Sequence, residues 1–285
     1  MTHASKMASL TIVFTLLFGV YPAVCQSSGA QSTSSPLLTD SAGVNAKVAL
    51  GSVFRVICPK LGTYGTGFLH KSGNVITANH VVDGCDAIVI ALTDNSTITA
   101  TLVAHSDHFD LAIIKPSKPI SSTPLIIAPL STTLTPGQQI QIWGFPAGYN
   151  GRLPMLSVGY VAGEDAILSK DQQWTVQLVL NAAVNHGNSG GPVTLVETGE
   201  VVGIADNKIV PISNDAIVAL KALQNFKGGF TYPATLADGT TTSFSEAQVV
   251  AMVLSDLQQQ VQLVVGRATL FGDLRQFLID NKIDP

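Results

Sequence analysis

Ser189 sits in the run Gly187-Asn188-Ser189-Gly190-Gly191-Pro192. A serine hydroxyl is a poor nucleophile until a neighbouring base takes its proton. Acyl chemistry also needs backbone N–H groups aimed at the developing oxyanion, and glycines on both sides permit the tight turn that brings them there. By itself such a run is equally an ordinary glycine-rich turn. A base is available in His80, which closes Thr77-Ala78-Asn79-His80 after an apolar run, and a carboxylate in Asp110, which opens Asp110-Leu111-Ala112-Ile113-Ile114. A serine–histidine pair needs such a carboxylate to orient the imidazole and stabilise its charged form. The chain order His, Asp, Ser is one of the three known orders for this constellation. His70, His105 and His108 lack the Thr-Ala-x-His setting and read as surface or strand-end residues. Asp107 does not open the apolar run and is the weaker acid. Asn79 and Asn188 read as turn residues.

The elements that must position these groups are short strands. Ser52–Cys58, Thr66–His70, Val75–Ala78, Ala87–Leu92, Ile98–His105 and Leu111–Ile114 are rich in β-branched residues and separated by Gly, Asn and Asp turns, a spacing that predicts a barrel or sandwich. Residues 115–137 hold five prolines around one apolar piece, Leu125–Ile127, and read as a connection. A second strand series runs from Gln139 to Ala205. Beyond it, Ile217, Leu220, Leu223 and Phe226, then Val250, Val253, Leu254 and Leu257, and finally Leu274, Phe277 and Leu278, recur at helical spacing. These stripes are expected to face a core.

Gly65–His70 (GTGFLH), Ile76–Val82 (ITANHVV), Asp110–Lys115 (DLAIIK) and Gly187–Val193 (GNSGGPV), in that order, resemble the trypsin-like serine peptidases of chymotrypsin fold, and among them the bacterial HtrA/Deg-like branch. The resemblance covers residues 48–207 and, more weakly, 262–283. It implies an all-β fold of two six-stranded antiparallel β-barrels, with C-terminal helices added. It assigns His80 as general base and acid, Asp110 as its orienting carboxylate and Ser189 as nucleophile, with the Gly187 and Ser189 N–H groups as oxyanion hole. The organisation expected is a signal peptide over 1–25, a leader over 26–44, an N-terminal barrel over 45–120, a linker over 121–138, and a C-terminal barrel over 139–285 interrupted by a helical insertion near 208–260.

Departures from the family pattern carry expectations of their own. Asn188 stands where digestive members have an aspartate that captures a new N-terminal amine, so activity is expected without zymogen cleavage. Ala183, six residues before Ser189, offers no charge to a basic side chain. With Ile204 and Ala205 as a further wall and His186 at the rim, it suggests a pocket for small or medium apolar residues. The segment after Asn207 lacks a carboxylate-binding loop, and no PDZ domain is expected.

Charged residues are only 12% of the 285 and the net charge is −4, which argues against a dedicated nucleic-acid binder. Leu10–Tyr21 is an uncharged apolar run ending in small residues at Ala23 and Cys25, the pattern of a secretory signal peptide. A membrane anchor and a lipid-modified Cys25 are the alternatives. Cleavage would place the chain in the periplasm or medium, with no stable membrane insertion, and leave Cys58 and Cys85 free to pair in an oxidising compartment. No Cys/His cluster suggests a metal, and no cofactor is expected. The expected partner is a polypeptide substrate. Two functions from different classes stand open: a secreted serine endopeptidase, and a catalytically silent protein of the same fold that binds peptides or a partner. An esterase is a third.

Overall fold

A computed structural model describes residues 44–208, 214–235, 240–260 and 264–285. The signal peptide and nearly all of the leader expected from the sequence lie outside the described residues. The chain opens with helix α1 (Val44–Ser52), a helix the strand-rich composition of this region does not announce. Strands β1 (Val53–Cys58), β2 (Thr63–Leu69) and β3 (Val75–Ala78), the single-turn helix α2 (Asn79–Val82), and strands β4 (Ile88–Ala91), β5 (Thr97–Ser106) and β6 (Leu111–Pro116) follow. The second series is β7 (Gln139–Gly144), β8 (Met155–Leu168), β9 (Trp174–Asn181), β10 (Pro192–Leu195) and β11 (Val201–Lys208). Then come α3 (Asn214–Asn225), β12 (Thr231–Thr235), β13 (Thr241–Ser245), α4 (Glu246–Gln260), β14 (Gly266–Leu270) and α5 (Phe271–Asp280).

The strands close into two six-stranded antiparallel barrels, one in the order β1-β2-β3-β6-β5-β4 and the other β10-β11-β14-β9-β8-β7. Period-2 alternation explains how the first barrel meets the second. Along β6, Ala112 and Ile114 enter the core inside the first barrel, while Leu111 and Ile113 join a core that continues into Ile140, Ile142 and Leu180 of the second. Phe68 and Leu69 on β2 divide the same way, as do Ile76 and Val75 on β3. Strands buried on both faces read as unbroken apolar runs. In the proline-rich connection, Leu125 and Ile127 are buried while Ile126 is exposed, and the Leu125 N–H reaches back to the Leu69 carbonyl at 3.0 Å.

Val210–Val261 clusters as a compact unit apart from the barrels. Its described part is not all helix, because β12 and β13 form a two-stranded sheet between α3 and α4. The apolar stripes of these two helices are only partly covered, with Ile217 38% and Leu257 53% exposed, so the expectation that they face a core is corrected. A unit of two helices and one hairpin is too small to bury a full stripe on each helix. The last helix does behave as expected: Leu274, Phe277 and Leu278 join the core of the second barrel.

Candidate active site

His80 is the second residue of α2, directly after β3, and Asp110 directly precedes β6. The pairing of β3 with β6 sets Ala78 opposite Leu111, which brings the two groups side by side. Asp110 does three things there. Its carbonyl accepts the Asn79 N–H at 3.0 Å, its Oδ1 accepts the His80 N–H at 2.9 Å, and its Oδ2 accepts from His80 Nδ1 at 2.5 Å. The first two satisfy N–H groups that a helix start leaves without partners, and the third fixes the imidazole. Asp110 adopts φ 51°, a left-handed conformation that non-glycine residues avoid and that clusters at functional sites.

Asp107 is engaged elsewhere: it accepts from Asn79 Nδ2 at 2.8 Å and pairs with Lys170 at 3.4 Å. His108 bonds Ser169 and Asp171. His70 is not the surface residue its setting suggested but is 2% exposed.

Ser189 lies in the turn before β10, a strand of the second barrel. The turn that carries it is tied to β2 by one residue, Thr66. The Thr66 N–H donates to the Ser189 carbonyl at 2.8 Å, and the Thr66 hydroxyl donates to the Gly187 carbonyl at 2.6 Å while accepting the Phe145 N–H at 3.1 Å. Thr66 is fully buried and belongs to the GTGFLH run, but nothing in its residue type separates this role from ordinary β-propensity. Gly187 and Gly190 have φ 89° and 84°. A Cβ on Gly187 would lie 2.2 Å from the Phe145 carbonyl, so both backbone conformation and space require glycine.

The His186 carbonyl accepts the Ala147 N–H at 2.6 Å. Because a trans peptide points its N–H opposite its carbonyl, the Gly187 N–H is aimed away from Ala147. Among the described residues, neither it nor the Ser189 N–H bonds a protein acceptor. The loop carrying Ala147 is itself held by Arg55, whose guanidinium lies between Tyr64 and Phe145 and donates to the Tyr149 carbonyl at 2.9 Å.

Two features were not legible in the sequence. The Ser189 hydroxyl donates its one proton to the Asp206 carbonyl at 2.7 Å, not to His80. The Asp206 carboxyl, 8% exposed, stands with His80 and Asp110 so that one ligand atom from each lies within 4.8 Å of the others. Three such groups could hold a cation; each Asp110 oxygen also accepts one hydrogen bond from His80.

Burial is the largest single influence on His80 and pushes it down. The hydrogen bond and charge of Asp110, with the charge of Asp206, outweigh burial and hold the imidazole above its ordinary range. Burial, then the Asp110 charge, push Asp206 up to about 6, against the donor bond from Gln177 and the His80 charge.

Of the expected pocket residues, Ala183 is half-buried and His186 exposed. Ile204 and Ala205 are buried to 1% and 0%, and Ile204 belongs to the core. Both are packed into the core, and along β11 the next residue, Asp206, stands with His80 and Asp110. Cys58 and Cys85 are joined by a disulfide. Among the described residues no helix is long and apolar enough to cross a membrane.

Residues 65–204 match the trypsin-like peptidase domain family. A DegP-like periplasmic serine endoprotease of Hahella chejuensis is 33% identical over 141 residues, which is 49% of this chain and 29% of that one. The serine protease HhoA of Synechocystis is 32% identical over 151 residues, 51% of this chain and 37% of that one. This chain thus spans about a third of the curated relatives it matches. Among solved structures, the inactive form of the Rv3671c protease superposes with a TM-score of 0.57 at 17% identity, covering 86% of this chain and 95% of that one. Its active form, from M. tuberculosis, gives 0.55 at 18% identity, covering 88% of each. At these identities the structures speak to the fold alone.

Proposed function

We propose, from a chain whose residues 65–204 are a trypsin-like peptidase domain homologous to the DegP/HtrA-like serine endoproteases, that this protein is an extracytoplasmic serine endopeptidase acting through Ser189, His80 and Asp110. The observation that carries this reading is the double hold of Asp110 on the His80 backbone and ring. A proton on Nδ1 facing the carboxylate leaves Nε2 as the base, and the His80 side chain keeps 47% exposure on the cleft.

In the reaction the Ser189 hydroxyl turns from the Asp206 carbonyl to His80. Nε2 takes its proton as Oγ bonds the scissile carbonyl carbon, and the Gly187 and Ser189 N–H groups receive the oxyanion. His80 then returns the proton to the leaving amine, an acyl-enzyme forms on Ser189, and water repeats the sequence to release the acid. Ala183 offers no charge, which favours small or medium apolar residues at the cut; hydrolysis confined to Lys/Arg peptides would refute that preference. Asn188 is buried with its Oδ1 unpartnered among the described residues, so no carboxylate waits there for an activating amine. Activity is therefore expected without leader removal, and a leaderless form active by orders of magnitude more would overturn this.

The Ser189 bond to Asp206 is the one observation that favours a catalytically silent, peptide-binding protein. Fluorophosphonate labelling separates the two readings. Wild type is expected to label at Ser189, and His80→Ala to lose about 10⁴-fold or more in rate. Ser189→Ala should not label at all. A wild type that does not label is the result that sinks the peptidase.

A further inference from the structure

Resting on the peptidase reading, we infer that Asp206 is a positioning residue, a second acid placed against the Asp110–His80 pair whose charge state decides how firmly the imidazole holds its proton. The geometry is specific. Asp206 comes from β11, Asp110 from the start of β6 and His80 from α2, and their ligand atoms fall within 4.8 Å of one another although the three come from different barrels. Two carboxyl groups that close in a buried place cannot both ionise freely. One proton shared between them leaves a single negative charge beside His80, and its loss leaves two.

Each group facing Asp206 bears on this. From β9, Gln177 donates Nε2 to Asp206 Oδ2 at 2.7 Å, which favours the charged carboxylate. The Gln177 Oε1 is buried with no partner among the described residues. From β14, Arg267 pairs with Asp165 at 2.6 Å. Lys170, which lowers His80, is held by Asp83 at 2.9 Å and Asp107. Burial and the Asp110 charge keep Asp206 protonated toward neutral pH, and its charge, once formed, raises His80. A histidine that stays protonated is no base, so the second carboxylate delays the onset of activity as pH rises.

The Asp206 backbone adds a second hold, because its carbonyl keeps the Ser189 hydroxyl away from His80. One residue thus bears on both ends of the proton path, on His80 through its charge and on Ser189 through its carbonyl, without taking part in it.

The test measures the acid limb of kcat/KM and, separately, the His80 imidazole titration by ¹⁵N NMR, in wild type, Asp206→Asn and Gln177→Leu. Asp206→Asn deletes the second charge. Gln177→Leu removes the donor that favours it, so Asp206 stays neutral to higher pH. Both variants are expected to move the His80 midpoint and the acid limb to lower pH. At pH 6 each should reach a fraction of its own plateau roughly twofold or more above that of wild type. A His80 midpoint unchanged in folded Asp206→Asn would overturn the inference, even if activity fell, since a merely structural residue lowers rate without moving the titration. If Asp206→Asn does not fold, Gln177→Leu decides by the same reading. A His80 midpoint that moves in Asp206→Asn, while wild type itself hydrolyses no peptide, would count against the peptidase and uphold the role of Asp206.

Discussion

His70 Nδ1 accepts the Ser72 N–H at 3.3 Å, so the folded protein holds this ring neutral. Burial, with the Lys71 charge, lowers it from 6.5 to about 4. The unfolded chain therefore takes up a proton near pH 6.5 and the folded one only near 4. Between those values the unfolded state binds more protons, and stability falls as pH falls. The loss attributable to His70 is roughly 3 kcal/mol over that window. His70→Gln should flatten denaturation midpoints between pH 6.5 and 4; an unchanged slope would remove His70 from the account. His80 is shifted the other way because a carboxylate is bonded to it and His70 has none. At Gly187 the demand is on backbone and space together. Gly187→Ala is expected to lower the fluorophosphonate labelling rate by about 10²–10³-fold, because its Cβ would displace the N–H proposed for the oxyanion.

At the scale of elements, the site depends on two joints. The first is Thr66, through which β2 of the first barrel grips the turn that carries Ser189. Thr66→Val keeps shape and removes the hydroxyl, leaving the buried Gly187 carbonyl and Phe145 N–H unpaired at about 1–3 kcal/mol each. The expected result is a lower melting temperature together with slower labelling; normal labelling would show that the turn holds without Thr66. The second joint is Cys58–Cys85, which closes a loop holding β2, β3 and α2, hence His80, over a sequence separation of 27. A loop of that size is worth about 3–4 kcal/mol. Reduction should lower stability by that order and raise the labelling of both thiols by iodoacetamide, whereas thiols that label without reductant would exclude the bond.

At the scale of the molecule, β11 and β14 pair across the point where Val210–Val261 enters and leaves the chain, with Lys208 opposite Gly266. Two neighbouring strands lie about 5 Å apart, so a short turn can bridge them. Replacing Val210–Val261 by such a turn is expected to leave both barrels folded and Ser189 reactive. Collapse of the barrels on excision would mean that this unit carries part of their stability.

Sequence alone determined what depends on residue type and local spacing. The runs GTGFLH, ITANHVV, DLAIIK and GNSGGPV carried the resemblance to trypsin-like peptidases, and β-branched runs between glycine and asparagine turns carried the barrels, because strand propensity and turn chemistry are local. Helical spacing located α3, α4 and α5 but not which of them meets a core, since an apolar stripe records a possible face and not the partner that covers it. Tertiary structure alone decided the rest. Along β11, packing puts Ile204 in the core and brings the Asp206 carboxyl to His80 and Asp110. Asp206 as a second acid, Gln177 as its donor and Thr66 as the joint between barrels each depend on groups distant in sequence. Long-range pairing and burial set their neighbours and the charge each can carry, and neither is written in the identity of a single residue.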